Sequence, residues 1–108
     1  NNMGLFTFFS APDIDVGVKE YESTDGAVLL DVRTEEEYNE GHIDGSINLP
    51  LDRITMIGNV VKDKAAYLYV HCLSGGRSRQ AVSYLKQMGY TNAKNIGGIS
   101  GYRGKVMR

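Results

Sequence analysis

Apolar residues fall along the chain in short unbroken runs separated by stretches with helical spacing. Ala27-Val28-Leu29-Leu30-Asp31-Val32 and Ala66-Tyr67-Leu68-Tyr69-Val70-His71 are continuous rather than alternating. That is the pattern of strands covered on both faces. Ser46-Ile47-Asn48-Leu49, ended by Pro50, and Ala93-Lys94-Asn95-Ile96 are two shorter strand candidates. Leu5-Phe6-Thr7-Phe8-Phe9 reads as an edge strand or a hydrophobic flap. Between them, Ile14, Val18 and Tyr21 sit at helical spacing after Ser10-Ala11-Pro12-Asp13, with Gly17 as a weak point. Thr34-Glu35-Glu36-Glu37 has the form of a capping box, and Gly41 supplies the stop for a brief helix. Leu51, Ile54, Ile57 and Val61 predict a helix over 51–62; Ala81, Val82, Leu85 and Met88 predict another over 78–88, closed by Gly89. Gly97-Gly98 precedes a last short turn or helix over 99–104. Strands alternating with helices predict an α/β domain with a central, mostly parallel sheet of about five strands flanked by helices.

Composition narrows the class without changing it. A chain of 108 residues, 42% apolar and 23% charged, is expected to form one domain around one core over 1–108, with residues 1–4 as a tail. A net charge of −1 gives no general attraction for nucleic acid or an anionic membrane, so any basic site must be local. No apolar run approaches the ~20 residues of a membrane span, and the amino end lacks the form of a signal peptide. One cysteine excludes an internal disulfide and predicts a reducing, cytoplasmic setting. It also leaves no second thiol here to resolve a modified Cys72. One cysteine and two distant histidines give no metal-ligand spacing, and no cofactor fingerprint is present, so neither metal nor cofactor is expected.

That cysteine lies where a strand meets a helix, in Val70-His71-Cys72-Leu73-Ser74-Gly75-Gly76-Arg77-Ser78-Arg79. Ligands of parallel sheets bind at the carboxyl ends of the strands, and helix amino ends carry unpartnered N–H groups that favour anions. Arg77 and Arg79 stand at a helix start, where the macrodipole disfavours cations. A local rule broken in this way signals an anion site. A free thiol titrates near ~8.5. Loop amides, the helix start and Arg77 should lower that value, while Gly75 and Gly76 let the backbone curl around the sulfur. Ser74 and Ser78 can donate to it or serve as filler and cap. Arg79 is either solvated or steers anions. A lone cysteine is otherwise most often a buried small hydrophobe; position and neighbours favour a reactive one here. Asp31 is expected in a structural ion pair, with Arg33 as a possible reach toward substrate. His71, pointing away from the face of Cys72 by strand alternation, reads as a satisfied core histidine, and His42 as structural support.

Three stretches together resemble the rhodanese family: Asp31-Val32-Arg33 running through Glu37-Tyr38 to Gly41-His42-Ile43-Asp44-Gly45-Ser46-Ile47-Asn48-Leu49-Pro50; the Cys72–Arg77 loop; and Asn95-Ile96-Gly97-Gly98-Ile99-Ser100-Gly101-Tyr102, where Tyr102 stands in place of the family's usual tryptophan. The resemblance implies a three-layer rhodanese-like domain and a sulfurtransferase. Cys72 would take a sulfane sulfur from a small anionic donor such as thiosulfate, form a persulfide, and pass the sulfur to cyanide or a thiol, including a protein sulfur acceptor. Leu73, Ser74, Gly75, Gly76, Arg77 and Ser78 would form the loop around it. The rival enzyme is a cysteine-dependent phosphatase, but those use C-x5-R, whereas Cys72 to Arg77 is C-x4-R, a smaller ring better suited to one sulfur than to phosphate. A non-catalytic rhodanese-like binding module is the rival from another class, and a carrier serving one protein acceptor combines the two.

Overall fold

The computed structural model describes residues 12–108, and the Leu5–Phe9 strand candidate lies outside them. The order is α1 (Ile14–Glu22), β1 (Val28–Asp31), α2 (Glu35–Glu40), β2 (His42–Ile43), β3 (Ser46–Asn48), a 3-10 segment (Leu51–Asn59), β4 (Leu68–Cys72), α3 (Gly76–Gln87), β5 (Ala93–Gly98), a 3-10 turn (Ile99–Gly101) and β6 (Val106–Met107). Among the described residues the main sheet has four strands rather than about five, all parallel, in the order β3-β1-β4-β5. No helix among these residues is long and apolar enough to cross a membrane.

Strand alternation divides the core into two layers. Leu30, Val70 and Cys72 face the side covered by α3 and the 3-10 segment, packing with Ala81, Leu85, Ile54 and Ile57. Leu29, Tyr69 and Ile96 face the other side, with Ile14, Val18 and Ile43. All five residues of β4 are buried, which explains the unbroken apolar run: neither face meets water. Gly17, the weak point in the helical pattern, is where α1 lies closest to the sheet. A Cβ there would run into the side chain of Ile96.

Two elements differ from the sequence pattern. The helix expected over 51–62 is 3-10, spans only Leu51–Asn59, and is broken at Arg53 (φ −117°, ψ 15°). Leu51, Ile54 and Ile57 recur every three residues, and side chains three apart eclipse in a three-residue turn. The antiparallel pair β2–β6 was not anticipated, because two residues per strand leave no periodicity to read.

The register between β4 and β5 carries a shift. Val70 pairs with Asn95, but His71 pairs with Gly97 and Cys72 with Gly98, so Ile96 is an extra residue beside the end of β4. Gly97 takes φ +105°, a conformation that glycine adopts at little cost. Bulges of this kind re-aim a strand end, and this one adjoins the cysteine.

Candidate active site

Cys72 ends β4, and only three residues separate it from the start of α3. The turn is made by Gly75 at φ +103°, which occupies the N-cap position with no side-chain cap. The backbone therefore curls back on the sulfur, and the Gly75 N–H donates to Cys72 Sγ at 3.0 Å. Because α3 starts at Gly76 rather than Ser78, Arg77 and Ser78 belong to its first turn. Cys72 is only 1% exposed, so a reacting partner must bring a small atom down to it.

Burial pushes the Cys72 thiol up. The Ser78 hydroxyl and the N–H groups of Ser78, Gly75 and Ser74 act against that and outweigh it, leaving the thiol below its ordinary value. The site thus favours a thiolate chiefly through hydrogen bonds to the anion.

Ser78 is fully buried, with Cys72 Sγ at 3.4 Å, Asn95 Oδ1 at 2.7 Å and the Gly75 carbonyl at 3.1 Å. Asn95 Oδ1 also accepts the Gly97 N–H at 3.0 Å, so one side chain holds the bulge and orients the serine. The Gly97-Gly98 pair presses on the loop from the other side. A Cβ on Gly98 would overlap the Leu73 carbonyl and lie 2.5 Å from Ser74 Cα, and the Ser100 N–H donates to that carbonyl at 3.1 Å. Leu73 is 44% exposed and Ser74 is also at the surface, so the loop's outer rim is open to solvent.

Arg77 turns to the carboxylate of Glu37, with Nη1–Oε1 at 2.7 Å and Nη2–Oε2 at 2.9 Å. The same carboxylate completes the α2 capping box, accepting the Thr34 N–H at 2.9 Å while Thr34 Oγ1 accepts the Glu37 N–H. Its pKa is held at about 2, chiefly by Arg77 and against a smaller penalty from burial, with the two Thr34 hydrogen bonds adding to the effect. Arg79 is exposed on α3.

Arg33, read from the sequence as a possible reach toward substrate, is 5% exposed and turned to Asp31. Its Nη2 lies 2.7 Å from Asp31 Oδ2 and 2.7 Å from the Gly41 carbonyl. Asn48 spans the same loop, donating to the carbonyls of Asp31 and Arg33. His42 stacks on Tyr38 with ring centroids 4.0 Å apart and contacts the Tyr38 carbonyl through Nδ1. His71 is wholly buried, but it is not the satisfied histidine expected. Nδ1 reaches the Cys72 carbonyl at 3.3 Å, whereas Nε2 has no hydrogen-bond partner among the described residues and lies 3.9 Å from Asp31 Oδ2.

Asn95 and Glu37 are the site residues that pattern reading did not assign. Asn95 looked like an ordinary strand residue, and only the bulge brings it under the loop. Glu37 was visible solely as the third residue of a capping box.

A four-stranded parallel sheet, with a hydrogen-bonded cysteine in a glycine turn between an inner strand and the following helix, defines an α/β protein with its one cysteine at the carboxyl end of the sheet. The chain belongs to the rhodanese family of sulfurtransferases: residues 17–105 match the family model described as the Rhodanese-like domain. It is 41% identical over 71 residues to "Thiosulfate sulfurtransferase PspE" of Escherichia coli, covering 65% of this chain and 68% of that one. It is 38% identical over 78 residues to a "Sulfurtransferase" of Allochromatium vinosum, covering 70% and 71%. Among solved structures, "rhodanese with anions from E. coli" superimposes with a TM-score of 0.71 at 35% identity, covering 76% of this chain and 98% of that one.

Proposed function

We propose that this protein moves a sulfane sulfur from thiosulfate, or a similar small anionic donor, through a persulfide on Cys72 to an external thiol or cyanide. The observation that carries the reading is the cradle of Cys72 Sγ: a left-handed turn at Gly75 aims a backbone N–H at the sulfur, and Ser78 stands beside it. The names of the Escherichia coli and Allochromatium vinosum relatives support the same chemistry.

In the first half-reaction the Cys72 thiolate attacks the outer sulfur of thiosulfate. A bond forms between the two sulfurs, the donor's own S–S bond breaks, and sulfite leaves with the electron pair. In the second half the acceptor attacks the outer persulfide sulfur, and Cys72 departs as a thiolate, which the same hydrogen bonds stabilise. Neither half needs an obligatory proton donor, a metal or an oxidant. With no second cysteine among the 108 residues, the sulfur goes to an acceptor outside them.

The test is steady-state production of thiocyanate from thiosulfate and cyanide, comparing the wild type with Cys72→Ser. Turnover by the wild type and none by the variant is expected. Equal rates from the two proteins would remove Cys72 from the mechanism.

A further inference from the structure

Of the charged pairs that the proposed chemistry does not use, one involves the arginine that closes the sulfur loop. Arg77 is the only arginine in the first turn of α3 other than Arg79, and its guanidinium is held by both oxygens of Glu37 from across the loop between β1 and α2. The pair is neither buried nor fully solvated, with side chains 34% and 28% exposed. Each member of the pair lines a different depression. One, of about 420 Å³, is lined by Arg77, Gln80, Tyr84 and Thr34; the other, of about 390 Å³, is lined by Glu37, Glu40, Leu73 and Val106. An anion reaches Arg77 from the first depression, whereas the second presents the carboxylates of Glu37 and Glu40.

We infer that Glu37 is a specificity-determining residue, an internal carboxylate that competes with anionic donor and anionic product for Arg77. The inference rests on the donor being an anion, as proposed above. Glu37 matches the bidentate geometry that a carboxylate, sulfite or the sulfonate end of thiosulfate would offer the guanidinium fork. While it holds Arg77, a dianion reaching the loop is met chiefly by backbone amides, which recognise one sulfur and carry no net charge. The donor gains Arg77 only when the guanidinium swings off Glu37, and sulfite loses it when the guanidinium returns to that carboxylate. Anion binding is therefore weaker than a free arginine beside a helix start would give, and release is faster. The same carboxylate caps α2, so the competitor is fixed in place by the fold rather than by a mobile side chain. The proximity of charges is also reflected in Arg77, whose pKa is raised first by Glu37 and, in smaller part, by the Cys72 charge.

The experiment uses Glu37→Gln, which removes the charge but keeps a residue suited to the third helical position of a capping box. In a Cys72→Ala background no sulfur can be transferred, and calorimetry reads binding of thiosulfate and of sulfite alone. Adding Glu37→Gln should tighten both by about three- to fivefold, the scale of one partly exposed ion pair. The gain should vanish when Arg77→Gln is added. In the cysteine-bearing protein, Glu37→Gln should lower KM for thiosulfate and strengthen inhibition by sulfite without raising kcat; loss of a purely structural contact would not improve either. If Glu37→Gln does not fold, Glu37→Asp, too short to grip both guanidinium nitrogens, should move binding in the same direction. Unchanged or weaker anion binding, or tightening that persists without Arg77, overturns the inference. Because the binding arm lacks the thiol, its outcome is independent of whether sulfur transfer is observed.

Discussion

A serine hydroxyl has one proton, and Ser78 has more acceptors within reach than it can serve. The shortest contact is to Asn95 Oδ1 at 2.7 Å, with Cys72 Sγ farther off at 3.4 Å. With the thiol protonated, the serine proton can rest on Asn95 while Ser78 Oγ accepts from S–H. With a thiolate, the hydroxyl rotates to donate to the anion. Ser78 therefore tracks the charge of the sulfur, giving up its hydrogen bond to Asn95 Oδ1 when it donates to the thiolate. Replacing Ser78 with alanine removes the hydroxyl and leaves burial less opposed, so the Cys72 pKa rises. The rate of alkylation by iodoacetamide, followed against pH, should show its midpoint displaced upward, with slower alkylation at neutral pH. A midpoint that stays put would assign the activation to the backbone amides alone.

At the scale of elements, two glycines set how closely the layers approach, and they separate stability from chemistry. Gly17→Ala drives a Cβ into Ile96 and lifts α1 from the sheet on the side remote from Cys72. Overpacking of this kind costs about 1–3 kcal/mol, read as a lower urea midpoint with alkylation of Cys72 unchanged. Gly98→Ala pushes instead on the Leu73 carbonyl and Ser74, so it should alter Cys72 alkylation and turnover at a comparable stability cost. The same elements show what a sequence can and cannot disclose. Buried strands announce themselves because nearly every residue of β1 and β4 is shielded from water and most are apolar, and Thr34 with Glu37 marks a helix start that the structure contains. The place of Cys72 at a strand end before glycines was legible for the same reason. The bulge at Ile96 was not, since the short mixed run Ala93-Lys94-Asn95-Ile96 has no clear periodicity for one extra residue to break, and with it went the approach of Asn95 to Ser78. Nor was the partner of Arg77 visible: Glu37 lies 40 residues away, and composition does not say which carboxylate will face a given arginine.

For the whole molecule, two buried or paired groups tie stability to pH in separate windows. Burial lowers the pKa of His71, against the opposing pull of Asp31, so the folded state keeps it neutral. The unfolded chain takes up that proton near ~6.5, so the contribution present above that value is lost as pH falls below it. Glu37 is ionised in the fold down to about 2, whereas an unpaired glutamate protonates near ~4.3. Its contribution is complete above ~4.3 and disappears as pH drops from there toward 2. Urea unfolding across pH should show the advantage of the wild type over His71→Gln shrinking below about 6.5, and its advantage over Glu37→Gln shrinking only at the lower values. Parallel curves in either comparison would deny that the residue is linked to folding.

These scales converge on one sulfur, held by a loop that two layers of the fold press into shape. The most direct measurement is the intact mass of the protein after incubation with thiosulfate and removal of excess donor, followed by addition of cyanide. The account predicts a gain of one sulfur atom, located on the peptide containing Cys72, absent from Cys72→Ala, and lost again as thiocyanate appears. A folded wild-type protein that gains no mass, or that carries the added sulfur on any other residue, would contradict it.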